Sequence, residues 1–210
     1  MLFRSATALT RTGRALRDDW RAELSARVDR PTPLTRNAPV SSMATAASLR
    51  TAVELRDQVA NGQPPAEYLR PLEQGGGRGL KKFEHALIAQ GSMPTGHYAI
   101  PTDYAKRDAF GNVARGQIVQ ILVQLAGGSV RAGYRRVISA SAQRRAQAAV
   151  RAGREYVAVL VPDGKLYPGI YARVAGGGLR MVFSYERAAR YRRQLTLLGR
   201  AREKAQRTFD

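Results

Sequence analysis

The 210-residue chain has no cysteine, which excludes a disulfide scaffold, a thiolate zinc site and a cysteine nucleophile. Histidine is nearly absent: only His85 and His97 are available as imidazole bases or ligands. Long hydrophobic runs are missing too. The longest nearly apolar stretch, Ile118 to Gly128, is too short to cross a bilayer, and Gln120 and Gln124 interrupt it. Above all, the chain is poor in acid, with 16 Asp+Glu against 35 Lys+Arg and a formal net charge of +19. Between Asp108 and Glu155 no acidic residue occurs, while Arg115, Arg131, Arg135, Arg136, Arg144, Arg145, Arg151 and Arg154 do. Self-repulsion of that order is relieved when a polyanion or an acidic protein face neutralises it.

Hydrophobic residues make up 44% of the chain, enough for a folded core rather than a disordered polycation. The length predicts a single domain over 1–210, with an N-terminal helical arm over 1–42 and a basic arm or loop over 127–154. The first seventeen residues, arginine-rich and free of acid, have the composition of an organelle transit peptide. Helical spacing argues for the other reading, a basic helix from about Ser5 to Val28. Leu9, Leu16, Trp20 and Leu24 share one face, with Arg14, Arg17 and Arg21 turned away from it. Pro31 and Pro33 end that helix, and residues 31–42 read as a connector. Thr51, Val53 and Leu55 alternate with polar or small residues as in a half-buried strand; a helix over Ala44 to Leu55 competes because no breaker interrupts it.

Gly75, Gly76 and Gly77 have the look of a phosphate cradle but lack the Gly-Lys-Ser/Thr ending, so a turn with positive φ is the better reading. Gly111 and Gly116 are expected in similar turns or close approaches. Leu80 to Gln90 predicts a short helix with Gly91 as its C-cap and His85 on its solvent side, without a second ligand at metal spacing. Ser92 to Asn112 reads as irregular chain pinned by Tyr98 and Tyr104. Ile118, Ile121, Leu122 and Leu125 place the most buried helix next. Residues 127–154 carry too few large apolar groups to offset their ordering entropy alone, which predicts an arm, helical around Ala140 to Ala152, that orders against a partner. After it come three antiparallel strands near 156–161, 169–174 and 179–186, with a helix from Glu186 onward expected across one face.

The expected fold class is therefore α+β: a small antiparallel sheet packed by a helix, with an N-terminal helix and a basic irregular arm. No His-Glu-x-x-His, Gly-x-Ser-x-Gly or Walker sequence is present. Carboxylates mostly sit beside arginines, as in Arg17-Asp18-Asp19 and Arg107-Asp108, the pattern of surface ion pairs. Asp103 and Asp108 could in principle share a metal with Glu84, but nothing in their spacing requires one. The expectation is a protein without catalytic, cofactor or metal residues.

Three blocks in order carry a family resemblance. They are Tyr68-Leu-Arg-Pro-Leu-Glu-Gln-Gly-Gly76 with Arg78, Lys82, Phe83 and Glu84; Asp108-Ala-Phe-Gly-Asn112 with Arg115-Gly-Gln-Ile-Val-Gln-Ile-Leu122; and Pro168-Gly-Ile-Tyr171 with Arg173, Val182-Phe183 and Tyr191-Arg192. From about Pro31 to its end the chain resembles the minor tail, or tail-completion, proteins of tailed bacteriophages. The N-terminal helix and the acid-free segment depart from the simplest family pattern. The resemblance implies an α+β fold, a small curved antiparallel sheet with a long helix across it, and a structural virion protein, assembled in the host cytoplasm, that forms an oligomeric neck ring closing the head-proximal end of the tail or joining it to the connector. Its implied partners are its own copies, the portal or connector, and tail tube or terminator proteins, with no membrane. Arg115 and the seven arginines from Arg131 to Arg154 would then meet either packaged DNA, non-specifically, or an acidic neighbouring ring. The alternative is a basic nucleic-acid-binding protein without catalysis; against it, Tyr134 is the only aromatic between Val113 and Glu155.

Overall fold

The computed structural model describes residues 2–60, 62–126, 141, 144, 148, 155–162, 166–174 and 177–209. The fold is α+β, and the chain divides into two compact units, residues 1–78 with 190–210 and residues 79–189.

The first unit is built on α1 (Leu2–Arg27). Its apolar stripe buries Leu16, Trp20 and Leu24, as the helical spacing predicts. Expected as an arm, α1 is instead the spine of this unit: Trp20 and Leu24 form one cluster with Ala38, Leu69, Leu195 and Leu197. Each such aliphatic side chain contributes about 1.5–3 kcal/mol through burial. After α2 (Pro33–Arg36), strands β1 (Pro39–Ser41) and β2 (Val53–Leu55) pair antiparallel, Val40 opposite Glu54. The strand reading near 53 therefore prevails over the competing helix. Gly13 of α1 is buried, and a Cβ there would overlap Thr51 Oγ1, which donates a 2.8 Å hydrogen bond to the Ser42 carbonyl. Glycine is what lets α1 come this close.

Helix α3 (Pro65–Gln74) leads into β3 (Gly76–Gly77), which pairs antiparallel with β8 (Arg190–Tyr191). The final helix, α6 (Leu197–Phe209), starts eleven residues after the expected Glu186. The delay has a physical cause: the Gln194 and Leu195 N–H groups both donate to the Leu72 carbonyl, at 2.7 and 3.0 Å. That carbonyl is one of the last four of α3 and has no intrahelical donor. The expectation that this C-terminal helix crosses the sheet is also corrected, since α6 packs in the first unit beside α1.

The second unit holds a four-stranded antiparallel sheet in the order β4-β7-β6-β5, with β4 (Tyr98–Pro101), β5 (Tyr156–Val159), β6 (Gly169–Arg173) and β7 (Leu179–Glu186). Three of these strands fall where alternation and turn residues place them. The fourth, β4, comes from the segment expected to be irregular. Met93, Ala99 and Ala105 are buried in this segment; of the two tyrosines expected to pin it, Tyr98 is half-buried in β4 and Tyr104 is exposed.

The helices that cover this sheet are α4 (Lys82–Ala89) and α5 (Arg115–Leu125). Phe83 and Leu87 from α4 and Ile121 and Leu122 from α5 join Ile170, Val182, Phe183 and Tyr185 in one core. The Phe83 and Phe183 rings lie 5.5 Å apart in a tilted pair. Helix α4 ends in a Schellman arrangement: Ser92 N–H donates to the Leu87 carbonyl at 2.8 Å and Gly91 N–H to Ile88 at 2.9 Å, with Gly91 at φ 73°. In the buried β6–β7 ladder a Cβ on Gly169 would overlap the Phe183 carbonyl oxygen.

Candidate interaction surface

The candidate arginines come first. Arg115 is exposed in the first turn of α5, and Arg144 is helical and exposed, as are Ser141 and Ala148. Arg131, Arg135, Arg136, Arg145, Arg151 and Arg154 lie outside the described residues, so the proposed arm is represented by isolated positions only. Of the five glycines expected in turns, Gly75, Gly76 and Gly111 have positive φ, 77°, 94° and 78°. Gly77 lies in β3. Gly116 is corrected: it sits inside α5, and a Cβ there would meet nothing within 4 Å.

Four acidic residues, Glu23, Glu73, Glu84 and Asp108, accept hydrogen bonds from the protein's own backbone. Glu84, fully buried, accepts from Lys81 N–H at 2.6 Å and from Ala99 N–H at 2.9 Å, capping α4 and holding β4 at once. Glu23, buried on α1, accepts from Thr196 N–H at 2.6 Å and from the Thr196 hydroxyl at 3.1 Å. Its second oxygen stands 3.3 Å from Arg200 Nε, an ion-pair distance without hydrogen-bond geometry. Glu73 accepts from Leu198 N–H at 3.0 Å. Carboxylates from α1 and α3 thus converge on the first turn of α6, where free N–H groups and the helix dipole favour negative charge. Asp108 Oδ1 accepts from the Phe110 and Asn112 N–H groups, both at 2.9 Å, and so shapes a turn. Among the described residues no three His, Asp or Glu side chains come together to hold a metal ion.

Other buried polar groups also hold the fold. Gln117 in α5 accepts from Lys106 N–H at 2.8 Å and donates to Tyr156 Oη at 3.2 Å. Tyr185 Oη donates to the Ser92 carbonyl at 2.5 Å, and burial pushes its phenol pKa well above the ordinary value. Burial also raises the Tyr68 phenol, a shift opposed by its hydrogen bond with Thr35. His85 is exposed, and His97 Nδ1 lies 3.1 Å from the Thr95 carbonyl.

The exposed surface still carries Glu54, Asp57, Glu67, Asp103, Glu186 and Glu203, but cations dominate it in places. On α1, Arg17 and Arg21 approach Asp18 at 2.9 and 3.7 Å. Arg4, Arg11 and Arg14 are exposed beyond them on the acid-free first part of the helix. Arg11 and Arg14 line an open groove with Phe3, Thr7, Thr10 and Thr45, closed at one side by Ala44 N–H donating to Thr10 Oγ1 at 3.0 Å. Such a surface can bind anions and position a partner. Sequence reasoning missed the structural carboxylates, although two signals were present: Glu84 stands three residues after Lys81, as in a capping box, and Glu23 falls on the apolar stripe of α1.

Comparison of the chain with protein-family models, with curated proteins and with solved structures returns no match. Among the described residues no helix is long and apolar enough to cross a membrane.

Proposed function

We propose that this chain is a structural virion protein of a tailed phage, acting as copies in a neck ring that closes the head-proximal end of the tail or joins it to the connector. The observation that carries this reading is the division of labour among charged groups. Glu23, Glu73 and Glu84 bind backbone N–H groups, while Arg4, Arg11, Arg14 and Arg115 stand exposed. Carboxylates used in this way build a scaffold, and the surplus cations serve contact with negatively charged neighbours. The small antiparallel sheet in an α+β fold is the part of the implied architecture that this chain shares; α4 and α5, rather than one long helix, cover it.

Native mass spectrometry of the purified protein, alone and mixed with portal and tail-tube proteins of the same virus, tests the proposal. The expected result is a closed oligomer of one copy number in at least one mixture. A strictly monomeric protein that binds neither neighbour would overturn it.

A further inference from the structure

A second acid-free segment lies near the other end of the chain. Between Glu186 and Glu203 stand Arg187, Arg190, Arg192, Arg193, Arg200 and Arg202, with no acid among them. Part of this segment is β8, and its pairing partner β3 consists of two exposed glycines. The sequence opposite is equally free of acid: between Glu73 and Glu84 the charged residues are Arg78, Lys81 and Lys82. Chain pairing thus sets Gly76 and Gly77, from one acid-free stretch, against Arg190 and Tyr191 from the other.

We infer that the β3–β8 ribbon is a nucleic-acid backbone contact, with Arg190 and Arg192 meeting phosphates across a bare glycine strand. Three features fit this chemistry. Arg190, Arg192 and Arg193 are all exposed, and guanidinium forks match phosphate oxygens in pairs. Gly76 has φ 94° and open space where a Cβ would stand, and Gly77 is exposed beside it, so no side chain on β3 keeps a sugar-phosphate strand away. Arg190 and Arg192 stand two residues apart, the spacing that puts side chains on one face of an extended strand, with Tyr191 turned to the other.

An acidic protein face is the competing occupant. Protein interfaces bury an apolar core from which charge is depleted. Here the only large exposed apolar group on the ribbon is Tyr191, among arginines, which is the composition of a phosphate contact rather than of a protein interface core. The inference does not depend on ring formation, and the two are read by different measurements.

Fluorescence anisotropy with a labelled 30-base-pair duplex and with a labelled thirty-nucleotide single strand, titrated over salt, provides the test. For R190A/R192A the slope of log K against log salt on duplex is expected to become shallower by about 0.9 per arginine removed, about 1.8 in all. R192Q alone should give about half that change, and serves if the double variant fails to fold. R11A/R14A, which removes two exposed arginines from α1, should leave the R190A/R192A difference in place. The unchanged fluorescence of Trp20 reports that the first unit remains folded. An unaltered slope in both folded ribbon variants overturns the inference. Polyglutamate bound as tightly as either oligonucleotide, with the same loss on R190A/R192A, overturns it in favour of an acidic protein.

Discussion

Removing the Glu23 carboxylate should destabilise the first unit while leaving the second intact. In Glu23→Ala, the Thr196 N–H loses a charge-assisted acceptor at 2.6 Å in a buried setting, a loss worth about 1.5–3 kcal/mol. The Thr196 hydroxyl loses a 3.1 Å partner as well. Arg200 is half-exposed, so its 3.3 Å approach to Glu23 adds at most about 1 kcal/mol. Glu73 still caps Leu198 and limits the damage. The expected total is about 2–4 kcal/mol. Glu23→Gln keeps an oxygen acceptor and loses mainly the charge, so it should cost about 1 kcal/mol. The single tryptophan, Trp20, is buried in the same cluster as Leu24, Leu195 and Leu197 and therefore reports on this unit. Urea unfolding followed by its fluorescence should show the Ala midpoint lowered by about 1–2 M. A midpoint within about 0.3 M of wild type would refute the capping argument, as would an equal loss in the Gln variant.

Two further predictions concern the sheet unit. Gly169→Ala would force a Cβ into the Phe183 carbonyl, where neither strand can give way, and should cost about 2–3 kcal/mol; Gly116→Ala, in open space on α5, should be neutral or stabilising by up to about 1 kcal/mol. Thermal melts of the two variants, followed by far-UV circular dichroism, check the contrast, and a similar melting temperature for both would contradict it. For Tyr185 the folded-state pKa is raised, so the unfolded chain loses its proton first and the associated stability, whole below about pH 10, is lost as pH rises above that value. Tyr185→Phe should cost about 1 kcal/mol at pH 8 through the lost bond to Ser92, and the gap to wild type should narrow by about 1.4 kcal/mol per pH unit above 10. A gap that stays constant between pH 9 and 11 in denaturant titrations would show that Tyr185 does not titrate differently in the two states.

Local patterns carried much of this fold. Leu9, Leu16, Trp20 and Leu24 announce α1, and the alternation around Phe183, punctuated by Pro162 and Gly177, announces β5 to β7. What sequence could not place depends on distant partners. The start of α6 is set by the Leu72 carbonyl, more than a hundred residues away, and β4 becomes a strand only because β7 offers it an edge. The same holds for the site. Arg115 and Arg144 are exposed as their composition suggests, but the meeting of Gly76 and Gly77 with Tyr191 and Arg190 is a product of pairing, invisible to any window of residues. Gly116 shows the converse error, since a glycine between Arg115 and Gln117 was read as a turn where the apolar period of the following residues continues a helix.

Cryo-electron microscopy of virus particles assembled with this chain carrying a small density tag is the most direct test of the central claim. The neck reading predicts tag density in a ring of fixed copy number around the axis where head and tail join. Tag density absent from the particle, or spread along the tail or capsid with none at that junction, would contradict it.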